Sequence, residues 1–277
     1  MSLRFRHHVA AKQPPPPRLT PRIVHCAHHK AGTVWFTRIL SEIANTRGLT
    51  IASSYDGGSV PQSDIAVYSV VAPLSEEEVA IAFHGAPHRR QAAANDFMHR
   101  SGLQLGGFRG THMIRDPRDM VVSGWYYHLR CTETWAITPH QRYGGRSYQE
   151  ILNDLGPHDG LMAEIEEATR RTLVHMARWN YEQPDFLELR YEDLLTNERV
   201  WFERVFQHYG FAEALARDSL AIAEKHSRDN LPVGDEHVRS GEPGEWRGHF
   251  KPDHIARFKK LTGHLLVDLG YEQSLDW

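Results

Sequence analysis

A short apolar run, a polar turn and an amphipathic helix follow one another near the N-terminus. Residues 23–26 (Ile-Val-His-Cys) are typical of a buried strand, and residues 28–33 form a polar turn that contains Gly32. Apolar residues then recur at helical spacing from Trp35 to Ala44, and Gly48 is placed to end that helix. The chain therefore begins with a strand, a phosphate-type loop and a helix.

The same alternation continues along the chain. Short apolar runs at 81–84, 108–114 and 186–189 are separated by helical patterns, and residues 53–63 have the composition of a loop. Helices are predicted over residues 88–101, from Pro117 onward, and over 161–181, 196–209 and 253–267. This order predicts an α/β fold with a P-loop-like parallel sheet flanked by helices on both faces, in one domain over residues 21–277. Residues 1–20 hold four consecutive prolines and are expected to form a flexible arm.

Charge and cysteine content limit the classes of function. A formal net charge of −3 gives no basic excess, so we expect no nucleic-acid partner, and a local site must bind any anionic ligand. The two cysteines, Cys26 and Cys131, form neither a metal pair nor a disulfide framework, which predicts a cytoplasmic location. No signal peptide is visible, and no apolar run approaches the roughly 20 residues of a membrane span. Oligomeric state is not readable from the sequence.

Residues 30–35 (Lys-Ala-Gly-Thr-Val-Trp) lie where the first predicted strand passes into its helix. A helix start offers unpaired backbone N–H groups and the positive end of the helix dipole, to which Lys30 adds a mobile charge and Thr33 a hydroxyl. This combination suits a terminal phosphate or sulfate. The loop is not a Walker A motif, because Lys30 precedes the glycine and no Lys-Ser or Lys-Thr pair follows. An ordinary strand-to-helix turn with a surface lysine is the alternative.

Two further stretches combine arginine with a helix start or with glycine. Residues 115–123 (Arg-Asp-Pro-Arg-Asp-Met-Val-Val-Ser) place Arg115 at a strand end and Ser123 two turns into a helix that Asp116 caps. An arginine fork with a hydroxyl suits a phosphate, whereas a salt-bridged helix start explains Asp116 but not Arg115. Residues 239–247 (Arg-Ser-Gly-Glu-Pro-Gly-Glu-Trp-Arg) form either a plain surface loop or one that lays Arg239 on a phosphate.

Together these stretches resemble the motifs of the sulfotransferases that use 3′-phosphoadenosine-5′-phosphosulfate (PAPS). Members of that family carry Lys-x-Gly-Thr-x-Trp after the first strand, then Arg-(Asp/Asn)-Pro-(Arg/Lys)-Asp-x-x-x-Ser, then Arg-x-Gly-x-x-Gly-(Asp/Glu)-Trp-(Lys/Arg) near the C-terminus. All three occur here in that order, and residues 191–194 (Tyr-Glu-Asp-Leu) resemble a fourth family stretch. The resemblance covers about residues 23 to 260. It implies a sulfotransferase that uses PAPS, releases 3′-phosphoadenosine-5′-phosphate (PAP) and needs no metal.

The resemblance also implies a role for each motif residue. Lys30 would stabilise charge on the leaving phosphate, and residues 31–34 (Ala31, Gly32, Thr33 and Val34) would form the loop around that phosphate. Trp35 would stack on the adenine, and Tyr191 and Ser227 would lie at the adenine end. The 3′-phosphate would be bound by Arg115, Ser123, Arg239, Ser240 and Gly241.

A general base is needed on the acceptor side, and we predict His84 for it. His84 ends the apolar run 81–84, so we expect it at the carboxyl end of a sheet strand, and residues 83–87 (Phe-His-Gly-Ala-Pro) resemble the family's Thr-His-Leu-Pro stretch. Two residues separate His84 from the proline, which leaves His88 as the alternative. His28 and His29, beside the loop, are further possible ligand contacts.

The acceptor is expected to be a small molecule or carbohydrate with a hydroxyl or amine. It should lie against residues 53–75, 84–100 and 125–160, whose aromatic residues can line an apolar pocket. Those residues are Tyr126, Tyr127, Trp135, Tyr143 and Tyr148. A P-loop nucleotide kinase and a non-catalytic nucleotide-binding protein are the competing interpretations. The kinase would need a Lys-Ser/Thr pair for Mg²⁺, which the Lys30 loop lacks.

Overall fold

The computed structural model describes residues 19–55, 58–71, 74–85, 101, 103, 106–230 and 239–277. All but the last two residues of the predicted arm lie outside these ranges. So do His88 and nearly all of the helix predicted over residues 88–101. The division into an arm and one domain therefore stays a prediction.

Five parallel strands form one sheet in the order β2-β3-β1-β4-β5. Their bounds are β1 (Arg22–Ala27), β2 (Ile51–Ser54), β3 (Ile65–Ser69), β4 (Phe108–Ile114) and β5 (Phe186–Arg190). The prediction of a parallel α/β sheet is confirmed. Strand β3 and the short edge strand β2 were not predicted, and β2 overlaps the start of the predicted loop over residues 53–63.

Helices connect the strands and cover the sheet. They are α1 (Thr33–Arg47), α2 (Glu76–His84), α3 (Pro117–His128), α4 (Thr134–Ile137), α5 (Tyr148–Asp154), α6 (Pro157–Ala168), α7 (Val174–Ala177), α8 (Tyr191–Thr196), α9 (Glu198–His208), α10 (Glu213–Lys225), α11 (Trp246–His249), α12 (Pro252–Thr262) and α13 (Leu265–Asp268). A π-helical turn (Thr169–Leu173) joins α6 to α7, and 3₁₀ turns span Gln141–Tyr143 and Arg228–Asn230. Among the described helices, none combines the length and apolar character that a membrane crossing requires.

The caps that the sequence indicates are present. Gly48 ends α1 in the left-handed conformation, with φ of 62°. Asp116 accepts a hydrogen bond from the Arg118 N–H at the start of α3, and Pro117 is the first helical residue. These local signals hold because each involves residues within one turn of the chain.

The strand predicted at residues 81–84 is wrong, because these residues form the last turn of α2. Ser75 and Glu78 make a capping box that starts the helix, and the helix runs on through the apolar residues. Ala82 and Phe83 are buried at helical spacing rather than in a sheet. His84 is therefore the exposed C-terminal residue of a helix and not the end of a strand.

Separate apolar clusters cover the two faces of the sheet. On one face α1 packs with α9 and α10 around Phe36, Ile39, Phe202 and Phe206. On the other face, strand residues such as Val24, Tyr68 and Phe108 pack with Trp179. A third cluster joins α3, α6, α11 and α12 around residues such as Val122, Ile165 and Phe258. Full burial of such side chains contributes about 1.5–3 kcal/mol each. This packing positions the β1–α1 loop and the starts of α3 and α8, which carry the motif residues.

Candidate active site

One large cavity of about 1850 Å³ lies beyond the carboxyl ends of the strands. Ligands of open parallel sheets bind at this edge, since the loops after neighbouring strands converge there. Residues at or just after the ends of all five strands line it: Lys30 after β1, Tyr55 after β2, Ser69 at the end of β3, Arg115 after β4 and Tyr191 after β5. Most of the residues that the motifs single out lie along this wall, namely Lys30, Gly32, Thr33, Val34, Trp35, Arg115, Ser123, Tyr191, Arg239, Ser240 and Gly241.

The start of α1 offers an anion site in its backbone. Gly32 precedes the helix in the left-handed conformation, with φ of 88°, and no side chain caps it. The first intrahelical bond is donated by the Phe36 N–H to the Gly32 carbonyl, at 3.2 Å, so the N–H groups of residues 33–35 have no partner within the helix. No acidic residue occupies the first turn. Unpaired N–H groups and the helix dipole favour a phosphate or sulfate here.

Gly32 is required by space as well as by backbone conformation. A Cβ atom at this position would lie 2.7 Å from Met113 Cε and 3.3 Å from Tyr191 Cδ2. Any other residue would also be strained in the left-handed region. The loop is thus packed tightly against β4 and the start of α8, which fixes the direction of its N–H groups.

Lys30 has an unusual backbone and an unusual environment. Its φ of 66° is left-handed, which is uncommon for a residue other than glycine. The Nζ atom lies 3.9 Å from the centre of the Tyr127 ring. Burial, with a smaller contribution from the Arg115 charge, lowers the pKa of Lys30 to about 8. Lys30 therefore carries a poorly solvated charge that an anionic ligand would stabilise.

Arg115 is a buried cation without a carboxylate partner among the described residues. Only 4% of it is exposed, its Nη1 donates to the Lys30 carbonyl at 3.3 Å, and its Nε atom is buried without a hydrogen-bond partner. Its guanidinium carbon lies 4.7 Å from the centre of the Tyr191 ring. A buried guanidinium with an unused donor is costly unless an anion binds it. The salt bridge at the start of α3 is formed instead by Asp116 and Arg118, at 2.8 Å.

Asp119 ties the loop over residues 239–247 to α3. Its two carboxylate oxygens accept hydrogen bonds from the Gly244 N–H, at 2.7 Å, and the Trp246 N–H, at 2.9 Å. Burial raises the pKa of Asp119, while those two hydrogen bonds partly oppose the rise. Arg118 also lies 4.0 Å from the centre of the Trp246 ring. The Asp-Pro-Arg-Asp part of the second motif thus holds the third motif in place.

Arg239, at the start of this loop, lines the cavity and contacts α3. The Arg239 guanidinium lies 3.9 Å from the Tyr126 ring and pairs with Glu245 at 2.6 Å. Gly241 adopts a left-handed φ of 66°, which turns the chain at this point. Contacts within the protein therefore hold this loop in place.

Two residues that were predicted to contact the nucleotide do not line the cavity. Ala31 does not line the cavity, because it is fully buried in the core. Ser227 is absent from the cavity lining too, and the neighbouring Arg228 occupies that part of the wall. Trp35 is half-buried, with edge contacts to the rings of Tyr191 and Phe202 and a buried Nε1 that has no partner.

The remainder of the cavity is aromatic and charged. Tyr127, Trp135 and Tyr143 line it, whereas Tyr148 is buried behind them and Tyr126 contacts Arg239 instead. The Arg171 guanidinium lies 3.8 Å from the centre of the Trp135 ring. Three of the five aromatic residues expected on the acceptor side therefore line the cavity.

His84 lines the same cavity from the end of α2, next to Gly263, where a Cβ atom would lie 3.2 Å from His84 Nδ1. His28 is fully buried and does not line the cavity, since its Nε2 contacts His112 Nε2 at 2.9 Å. His112 is buried too, and its Nδ1 donates to Glu188 at 2.6 Å.

A cluster beside Lys30 was not predicted from the sequence. His29, His128 and Glu133 hold nitrogen and oxygen atoms within 4.8 Å of one another, and all three line the cavity. Lys30 adjoins His29 and its charge helps to lower the pKa of that histidine, after burial and the nearby His128. A cation bound at this cluster would meet the same repulsion.

Comparison with known proteins identifies the domain. Residues 109–270, more than half of the chain, match the family model described as "Sulfotransferase domain". The range contains the second and third motifs, and the Lys30 loop precedes it. No curated protein sequence matches the chain.

Solved structures resemble the fold at low sequence identity. The mouse sulfotransferase SULT7A1 complexed with PAP is 14% identical, with a TM-score of 0.52, over 91% of this chain and 88% of that one. A retinol dehydratase in a complex with retinol and PAP is 14% identical, with a TM-score of 0.45, over 90% of this chain and 82% of that one. The first of these shows a shared fold.

Proposed function

The chain belongs to the sulfotransferase family, and we propose that it moves a sulfuryl group from PAPS to a hydroxyl or amine of a small molecule or carbohydrate. Residues 21–277 are proposed to form the single catalytic domain. The observation that carries this proposal is that Arg115 is buried, has no carboxylate partner in the described part of the chain and lines the same cavity as the Lys30 loop. Two separate cationic sites on one wall suit a nucleotide with phosphates at both its 5′ and 3′ ends.

In this proposal the two sites divide the nucleotide between them. The N–H groups at the start of α1 and Lys30 bind the 5′ end, with Gly32, Thr33 and Val34 around it. Arg115, Ser123, Arg239, Ser240 and Gly241 bind the 3′-phosphate. Trp35 and Tyr191 enclose the adenine, and Arg228 takes the place at the adenine end that the sequence assigned to Ser227. The half-buried Trp35 ring and its unpaired Nε1 support this placement.

Sulfuryl transfer asks the protein mainly to position the reactants and to stabilise charge. The acceptor atom bonds to sulfur, while the bond from sulfur to the bridging oxygen of the 5′-phosphate breaks and that oxygen leaves with the electron pair. Lys30 stabilises the negative charge that grows on this oxygen. Because that charge is largest in the transition state, loss of Lys30 should lower kcat more than nucleotide affinity.

The acceptor must lose a proton during this step. His84, the base predicted from the sequence, lines the cavity but lies on the exposed end of a helix rather than at a strand end. His84 is one candidate for the base. The aromatic part of the cavity, with Tyr127, Trp135 and Tyr143, suits an acceptor with a flat or apolar portion.

Thermal unfolding with PAP and with ADP tests the nucleotide site. A ligand at about 100 times its Kd adds about 2.7 kcal/mol to the free energy of unfolding. We expect PAP to raise Tm by several degrees and ADP, which lacks a 3′-phosphate, to raise it much less. Arg115→Ala should abolish the difference between the two nucleotides. Equal shifts by PAP and ADP in the wild-type chain would refute the assignment of Arg115 to a 3′-phosphate.

Assays with sulfur-labelled PAPS against a panel of alcohols, phenols, amines and sugars test the reaction itself. A labelled product from any of them supports the proposal. Binding of PAP without transfer to any acceptor or to water would indicate the non-catalytic alternative. Transfer of phosphate from ATP would indicate the kinase.

A further inference from the structure

His128 is the last residue of α3, the helix that also carries Ser123, and it lines the cavity although only 3% of it is exposed. Its Nδ1 lies 2.9 Å from Glu164 Oε2 on α6. The same carboxylate oxygen accepts a hydrogen bond from the Tyr148 hydroxyl at 2.8 Å. A histidine oriented by a buried carboxylate is the arrangement that general bases use in hydrolytic triads.

The bond to Glu164 determines which ring nitrogen can take a proton. A carboxylate only accepts hydrogen bonds, so Nδ1 of neutral His128 carries the hydrogen and Nε2 keeps its lone pair. His128 Nε2 is buried and has no hydrogen-bond partner. A buried, unpaired acceptor on a cavity-lining residue calls for a ligand group that donates a hydrogen bond.

The glycine at position 124 makes room for this pair. A Cβ atom on Gly124 would lie 2.5 Å from Glu164 Oε1 and 3.6 Å from His128 Cε1. Any larger residue on this turn of α3 would push the carboxylate away from the histidine. Gly124 therefore permits the close approach of Glu164 to the helix.

The pair lies next to the cation of the Lys30 loop. Lys30 Nζ is 3.9 Å from the Tyr127 ring centre, and the Tyr127 and His128 ring centres are 5.5 Å apart. The ring of His29, the residue before Lys30, is 5.2 Å from that of His128. An acceptor that reaches the sulfuryl group beside Lys30 would thus lie close to His128.

Other titratable groups around His128 are less suited to take the proton. Glu133 already accepts hydrogen bonds from the Tyr127 hydroxyl on one oxygen and from Trp135 Nε1 on the other. The pKa of His29 is held well below its usual value by burial, His128, Lys30 and Arg171, which makes it a weak base. Among the described residues, Cys131, Tyr148, Lys30 and Glu167 also lie near the pair.

We infer that His128, oriented by Glu164, is the general base of the sulfuryl transfer. This inference rests on the proposed function. The proton of the acceptor hydroxyl or amine passes to His128 Nε2 as the acceptor atom bonds to sulfur and the 5′-phosphate of PAP departs. The resulting imidazolium is stabilised by the Glu164 carboxylate, and it returns its proton to water after the product leaves. Glu164 acts through His128 and is a positioning residue.

The test measures release of PAP from saturating PAPS between pH 5.5 and 9, with 2-naphthol and with water alone as acceptors. The variants are His128→Gln, Glu164→Gln, Gly124→Ala and His84→Gln, with His264→Gln as a control at an exposed histidine that does not line the cavity. Calorimetric titration with PAP and thermal unfolding verify that each variant folds and binds nucleotide. Nitrogen-15 NMR of the wild-type chain and of Glu164→Gln reads the tautomer of His128 independently of activity.

For His128→Gln we expect kcat to fall about 10²- to 10⁴-fold, with PAP affinity unchanged within about threefold and the acidic limb of the pH profile lost. Glu164→Gln and Gly124→Ala should lower kcat by about 10- to 100-fold, and NMR should show that the Nδ1–H tautomer is no longer favoured in Glu164→Gln. His264→Gln should match the wild type.

Near-normal kcat and an unchanged pH profile in His128→Gln would overturn the inference, and a loss in His84→Gln alone would assign the base to His84. Activity that EDTA removes and Zn²⁺ restores would identify His29, His128 and Glu133 as a metal site, which also overturns it. Failure of the wild-type chain to bind PAP, or to release PAP faster than PAPS decays in buffer, would refute the proposed function itself.

Discussion

The affinity for PAP should weaken as the pH rises through the pKa of Lys30. Burial and the charge of Arg115 lower that pKa to about 8, so Lys30 of the free chain is mostly charged at pH 7 and mostly neutral at pH 9. A bound 5′-phosphate favours the charged form and should return its pKa toward the ordinary value of about 10.4. PAP then binds the protonated chain preferentially.

The size of the effect follows from the two pKa values. Between pH 7 and pH 9 the Kd of PAP should rise about tenfold, which is about 1.4 kcal/mol. At pH 9 the binding of one PAP should take up about 0.9 proton. Calorimetric titrations in buffers of different ionisation enthalpy measure both quantities, at constant ionic strength because phosphate contacts are screened by salt.

Lys30→Arg is the matched control, because a guanidinium stays charged over this pH range. Any pH dependence of the Kd in this variant therefore comes from PAP or from other groups of the protein. Lys30→Met should bind weakly at every pH. The reasoning that Lys30 is a desolvated cation facing the nucleotide would be refuted by either of two results. The Kd of the wild-type chain for PAP could change with pH no more than that of Lys30→Arg, or it could fall as the pH rises.

Two further predictions concern the scaffold of the site. Asp119→Asn loses one of two buried hydrogen bonds to the loop over residues 239–247. We therefore expect the free energy of unfolding in urea to fall by about 1–3 kcal/mol and PAP binding to weaken. Unchanged values in both assays would contradict the anchoring role. Burial lowers the pKa of His25 to about 3, so the unfolded chain binds more protons between pH 6.5 and 3 and the free energy of unfolding should fall with decreasing pH, by up to about 1.4 kcal/mol per pH unit for this residue. Urea titrations from pH 7.5 to 5 should show a shallower fall in His25→Asn, and an equal slope in both chains would contradict it.

Local signals predicted the parts of the fold that depend on neighbouring residues. The caps at Asp116 and Gly48 are both present, since a cap requires only contacts within a turn or two of the chain. The helix predicted over residues 196–209 corresponds to α9 (Glu198–His208), whose Phe202, Val205 and Phe206 pack in the core. The apolar run that ends at His84 was misassigned to a strand, because four residues fit either period and the capping box upstream decided the outcome.

The edge of the sheet shows a second limit of local reasoning. The Ile-Ala-Ser-Ser stretch of β2 is short and half polar, and its extended form is held by pairing to β3 across the register Ile51 to Ile65. Strand β3 in turn pairs with β1. Such strands exist because of partners that are distant in the chain, which no window of sequence contains.

The sequence by itself determined the chemical inventory of this protein: a lysine and glycine at a helix start, an arginine at a strand end, and an arginine-glycine loop, in the order of one family. Only the tertiary structure decided which groups meet. Asp119 holds Gly244 and Trp246, which lie 125 and 127 residues further along the chain, and Glu164 orients His128 from another helix with Gly124 leaving room between them. The physical reason is that anion binding at a helix start is a property of a short segment, whereas the orientation of a buried base depends on how separate helices pack.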